Sequence, residues 1–225
     1  MSIVRVEGVS SPPPPSPLPI DGRNQRRDRN RDAVVAALLE LYREGETGPS
    51  AEQIAQRAGI SARSLFRYFE DVDALVRTAI ARQQHHLAPL YALDAPPELP
   101  VDDRIERFVA ARVRLLEGMG EVGRVARTLA ARQPLILAEL ARVRHALRVQ
   151  LAETFAPELG ALPPAERRRA LAAADVVVSW EAYDLMHNDQ GLPADEVGPA
   201  MAVGLARLLG VAPARPVASA AEVAR

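Results

Sequence analysis

Apolar residues first recur at helical spacing from Val34. Val34, Val35, Leu38, Leu41 and Tyr42 share one face at steps of three and four, and Gly45 and Gly48-Pro49 close that helix. Two short helices are predicted next, over 51–58 with Ile54 and Ala55 inward, and over 62–68, with Gly59 between them. A fourth starts near Asp71, turns Val72, Leu75, Val76, Ala79 and Ile80 inward, and is limited by Pro89. The Pro-rich stretch 92–100 reads as a connector. Beyond it, Ile105, Phe108, Val109 and Leu116 mark a helix bounded by Gly118 and Gly120, and Val122, Val125, Ala126 and Leu129 mark the next. Ile136, Leu140, Val143, Leu147 and Leu151 mark a long third, ended near Pro157. One uninterrupted helix is predicted over 164–188 and a last one over 194–209. No strand pattern and no internal repeat is present. The chain therefore reads as all-α, with a disordered Pro-rich tail (1–22), an N-terminal domain (23–88), a C-terminal helical domain (89–212) and a second disordered tail (213–225). Ser11 to Pro17 cannot hold a helix, because proline lacks the amide donor.

Composition sharpens this picture. Hydrophobic residues make up 48% of the chain but aromatics only 4%, so the core is built from Ala, Leu and Val, which favours helix over strand. The absence of Cys excludes disulfides and thiolate metal sites. No apolar run approaches the ~20 residues of a membrane span. A Pro-rich stretch stands where a signal peptide would carry its apolar region, so a cytoplasmic protein with no membrane partner is expected. Net charge is −1, but Arg23, Arg26, Arg27, Arg29 and Arg31 form a basic cluster ahead of the first apolar residues. It reads as an arm able to reach DNA phosphates.

Enzyme signatures are missing. There is no Gly-rich phosphate loop and no HExxH, and Asp and Glu are scattered over helix faces. His85 and His86 are sequence neighbours, so they point about 100° apart on a helix and do not readily share an ion. No enzyme activity, metal or cofactor is expected.

The most informative stretch is 50–69. Ser50 and Gln53 are spaced as a capping box, Gly59 stands where a helix must end in a left-handed residue, and Ser61 can cap the helix that follows. Leu65 and Phe69 anchor that helix inward, which leaves Ala62, Arg63, Ser64, Arg67 and Tyr68 on its outward face or N-terminal end. This is a helix-turn-helix pattern, in which such an end enters the major groove. Arginine takes guanine O6 and N7 together or pairs with phosphate, and capped helix N-termini favour phosphate. The candidate DNA-binding residues are Ser50, Ser61, Ala62, Arg63, Ser64, Arg67, Tyr68, Arg27 and Arg31.

The segment Ile54-Ala55-Gln56-Arg57-Ala58-Gly59-Ile60-Ser61, the ending Phe66-Arg67-Tyr68-Phe69 and the following Asp73-Ala74-Leu75 resemble the tetracycline-repressor (TetR) family over 31–81. Two positions depart from it: Phe66 replaces a common Tyr, and Val72 a common Lys. The resemblance implies a three-helix DNA-binding domain joined to a helical effector-binding and dimerisation domain. It also implies a homodimer on a palindromic double-stranded operator, an unidentified small-molecule effector, repression as the usual outcome, and a bacterial, nucleoid-associated location. The family's paired helices place the dimer interface at Leu171, Val178, Leu185, Val197, Met201, Leu205 and Leu208. Polar residues on apolar helices nominate Arg112, His145, Trp180, Tyr183 and His187 for the ligand pocket. The alternative reading is a helical protein-interaction module that has lost specific DNA binding.

Overall fold

The computed structural model describes residues 22–211. The predicted tails lie outside the described residues, except that Gly22 opens the first helix and 211 ends the described chain. Ten helices follow one another, with no strand among the described residues: α1 (Gly22–Arg43), α2 (Ala51–Arg57), α3 (Ala62–Tyr68), α4 (Val72–Leu87), α5 (Val101–Ala130), α6 (Pro134–Thr154), α7 (Ala156–Ala161), α8 (Pro164–Val177), α9 (Trp180–Asp184) and α10 (Ala194–Leu208). Among the described residues no helix is long and apolar enough to cross a membrane.

The N-terminal elements form where their caps require. Ser50 Oγ accepts from Gln53 N while Ser50 N donates to Gln53 Oε1, so both halves of the box exist. Gly59 turns the chain at φ 69°, a left-handed conformation that costs a side-chain-bearing residue about 1–2 kcal/mol. Asp71 Oδ1 accepts from Ala74 N to open α4. The basic cluster is not an arm ahead of the helix. Residues from Arg23 to Arg31 form the first turns of α1, where no Gly or Pro follows Gly22 and Arg and Gln favour helix.

One further boundary agrees with the sequence pattern and another differs from it. Gly120 (φ 46°, ψ −143°) is non-helical and kinks α5 into two helical segments, where the sequence pattern puts the end of one helix and the start of the next. Gly118 lies inside the first segment and serves packing, since a Cβ there would collide with the Leu90 side chain. The single helix expected over 164–188 is broken at Ser179, whose backbone is extended (φ −80°, ψ 164°) and whose Oγ caps Ala182 N at 3.1 Å. Three successive valines, Val176 to Val178, weaken the helix there, and the serine offers its backbone an alternative bond. A π-helical turn, Leu185–Asp189, then leads to Gly191.

Two hydrophobic cores result. The first joins α1–α4 through residues such as Leu38, Ile54, Leu65, Phe69 and Leu75, and also includes Val125 and Leu129 of α5 and Ile136 of α6. The second gathers Phe108, Leu115 and Leu116 of α5 with Leu147 and Leu151 of α6, Phe155, Val178, Trp180 and the inner face of α10. Helix α5 thus belongs to the second core before its bend and to the first after it.

The packing of α8 and α10 corrects the expected dimer interface. Val178, Val197, Met201 and Leu205 have no exposed surface, because they face the second core of their own chain. Leu171 and Leu208 are half-buried against that core, and only Leu185 is exposed. A Cβ at Gly204 would lie 3.0 Å from Val177 Cγ1, so this glycine brings α10 close to α8 of the same chain. Val203, on α10 away from the second core, is 44% exposed, whereas Val176, 66% exposed, lines a cavity.

One buried ion pair ties α5 to α7. Arg104 binds Glu158 with two nitrogens, donates to Thr154 O at 2.7 Å and to Leu99 O at 3.2 Å, and lies over the Phe155 ring. Removing one partner leaves a buried, uncompensated charge. Glu158→Ala is expected to lower unfolding stability by about 3 kcal/mol, read from urea denaturation.

Candidate nucleic-acid interface and ligand cavity

Helix α3 is held by its inner side chains and offers its outer ones. Leu65 and Phe69 are buried in the first core, while Arg63, Phe66 and Arg67 are exposed and Ala62, Ser64 and Tyr68 are half-buried. Ser61 Oγ accepts from Ser64 N at 3.2 Å and lies 2.9 Å from Ser64 Oγ, so one hydroxyl proton is shared and another is free for an outside acceptor. Ser50 is exposed at the start of α2. Tyr68 Oη accepts from Asn30 Nδ2 at 2.8 Å, which fixes the ring and leaves the phenolic proton available. Nothing local in the sequence marks Asn30, because its partner lies 38 positions away.

The basic side chains divide into two groups. Arg57 pairs with Glu44, Arg82 with Asp32 and Arg77 with Asp71. Arg27, Arg63 and Arg67 are exposed and form no ion pair among the described residues. Arg31 stacks over Phe69, with its guanidinium carbon 5.1 Å from the ring centre, and reaches Thr78 Oγ1 at 3.4 Å. It therefore braces α1 against the end of α3. Phe66 and Val72, the two departures from the family pattern, are each 52% exposed beside these residues.

A cavity of about 440 Å³ lies between the two cores. Leu39 and Tyr42 of α1 and Val76 and Ala79 of α4, all members of the first core, form one wall. Leu116 and Met119 of α5, Val143 and Leu147 of α6, and Trp180 form the others. Of the five expected pocket residues, Arg112 and Trp180 line it. His145 is on the exposed face of α6, Tyr183 is buried in the second core away from the cavity, and His187 holds Leu192 O at 3.0 Å. Polarity on an apolar helix indicated candidates, but the sequence does not say which neighbours enclose them. Gln83 was missed for the same reason. It lines the cavity, and its Oε1 is the one buried side-chain polar atom without a partner among the described residues.

The charges around the cavity are unequally compensated. Burial raises the Glu181 carboxyl, but hydrogen bonds from Arg144 and Arg127 outweigh it and hold that group below the usual carboxylate range. Glu139 pairs with Arg142 at 2.7 Å, and Asp175 with Arg148 at 3.6 Å. Arg112 is only 3% exposed and has no carboxylate within ion-pair distance among the described residues. Its Nη2 donates to Leu147 O and Gln150 Oε1, and the guanidinium lies over the Phe108 ring at 4.8 Å. Burial pushes it down to about 10, partly offset by Asp175 and Tyr91, so it keeps its charge at neutral pH.

No protein-family model matches the sequence, and no curated protein sequence matches it. Solved structures do. A TetR-family transcriptional regulator from Streptomyces coelicolor shares 23% identity over 79% of this chain and 81% of its own, with a TM-score of 0.60. A transcriptional regulator from Rhodococcus sp. Rha1 shares 17% over 84% of this chain and 99% of its own, with a TM-score of 0.55. The multidrug binding protein EbrR, solved with imidazole, shares 18% over 86% of this chain and 98% of its own, with a TM-score of 0.54. The chain has the all-helical fold of TetR-family transcriptional regulators.

The cap of α3 can be tested alone. Ser61→Ala should cost about 1 kcal/mol of stability in urea denaturation, the usual worth of a serine N-cap.

Proposed function

We propose that the protein is a homodimeric, sequence-specific DNA-binding transcriptional regulator, a repressor released from a palindromic operator by a small molecule. The observation that carries this reading is the outer face of α3, where Arg63 and Arg67 are exposed and without ion pairs among the described residues, at the end of a helix capped by Ser61. Arg63 in the first turn of α3 and Arg67 in its last turn are charged donors left open on one exposed helix, which suits bases and phosphates. Ser50, Ser61, Ala62, Ser64 and Tyr68 would complete the contact, with Arg27 on neighbouring backbone and Arg31 in a bracing role. Phe66 and Val72 would lie against sugar or a thymine methyl instead of phosphate. The same two residues favour the second reading, an interaction module without specific DNA binding, because they leave exposed apolar surface where the family has polar groups.

Release would begin in the cavity, because its wall includes side chains of the DNA-binding core. A ligand wedged between α4 and α5 favours one placement of the N-terminal unit over another. It changes the spacing of two recognition helices only as far as it binds one placement better. For the dimer, the outer face of α10 replaces the residues named from sequence, with Val203 as an apolar contact.

Selection from random duplexes at near-physiological salt should enrich a palindrome. Arg63→Ala should lose it, with a penalty of about 1–3 kcal/mol for a bidentate base contact. A folded wild-type dimer that enriches nothing would support the interaction-module reading. Val203→Arg should shift the dimer to monomer in light scattering without lowering helix content.

A further inference from the structure

The cavity has one polar anchor that the protein leaves half-used. Arg112 is buried, it is charged, and both of its protein acceptors, Leu147 O and Gln150 Oε1, are neutral and engage a single nitrogen. Nε and Nη1 have no acceptor among the described residues, and Arg112 lines the cavity. No carboxylate around the same cavity forms an ion pair with Arg112 among the described residues: Asp175 supports its charge only from a distance, Glu181 is held by Arg127 and Arg144, and Glu139 by Arg142. A buried cation without a hydrogen-bonded counter-charge is costly, and a bound oxyanion supplies that partner through charge-assisted hydrogen bonds. Around Arg112 the walls are apolar: Leu116, Met119, Val143 and Leu147. The volume of about 440 Å³ suits a ligand much larger than a lone inorganic anion.

Resting on the reading of this cavity as the effector site, we infer that its ligand is an amphipathic anion, with a carboxylate on Arg112 and an aliphatic or alicyclic body between α5 and α6. On the other side, beside Trp180, Arg127 and Arg144 share the single carboxylate of Glu181.

Trp180 is the only tryptophan in the chain and it lines the cavity, so its fluorescence reports occupancy without DNA. The probes are decanoate and its neutral isostere decan-1-ol, titrated below micelle formation into the full-length protein, with calorimetry in parallel. Decanoate should bind at least ~10-fold more tightly than decan-1-ol, the difference expected from one charge-assisted contact. In Arg112→Met that preference should vanish while decan-1-ol still binds. Equal or tighter binding of the alcohol to the wild type overturns the inference without any variant. So does a preference that survives Arg112→Met, or the absence of saturable binding by either probe. Release of a selected operator is scored separately. If decanoate binds through Arg112 and leaves the operator bound, the ligand class stands and the effector reading fails.

Discussion

Helix α5 is built into both hydrophobic cores, and the rest of the architecture follows from that continuity. Before Gly120 its apolar side chains pack with α6, α7 and α10; after it, Val125 and Leu129 pack among α1–α4. A flexible linker would let the N-terminal unit move without consequence for the body. A helix shared by two cores does not, because close-packed interiors resist continuous deformation and tend to move between discrete arrangements. The left-handed glycine is the place where the helix changes direction between them.

The cavity is a consequence of the same arrangement. Two cores joined by one bent helix do not close perfectly against each other, and the gap collects side chains from both. Leu39, Tyr42, Val76 and Ala79 serve at once as core of the N-terminal unit and as wall of the cavity. Through this double membership a molecule bound in the cavity would press on α1 and α4, which share a core with α3. Ion pairing is distributed accordingly. Carboxylates around the cavity are paired with arginines other than Arg112, and that buried cation remains with neutral acceptors.

Much of the N-terminal unit was legible because local rules decide it. Caps at Ser50, Ser61 and Asp71 and the left-handed Gly59 act within a few residues, and each is where the sequence indicates. Local rules also misled where packing competes with them. Gly118 looks like a helix end but lies inside a helical segment, and the break falls at Gly120 alone. Val176 to Val178 look like continuous helix, but Ser179 captures a backbone amide and ends it.

The sequence by itself determined which residues share a helix face, since that depends only on the rotation per residue along the chain. It therefore identified the all-helical architecture, the turn between α2 and α3, and the outward side of α3. It could not say what covers a face. The apolar stripes of α8 and α10 look the same whether they meet another chain or their own core, and only the packing angles of neighbouring helices put Val178, Val197, Met201 and Leu205 inside the protomer. The cavity was decided in the same way. Arg112 and Gln83 are ordinary polar residues in the sequence, and they become a buried cation on neutral acceptors and an unpartnered amide only after helices distant in the chain have enclosed them.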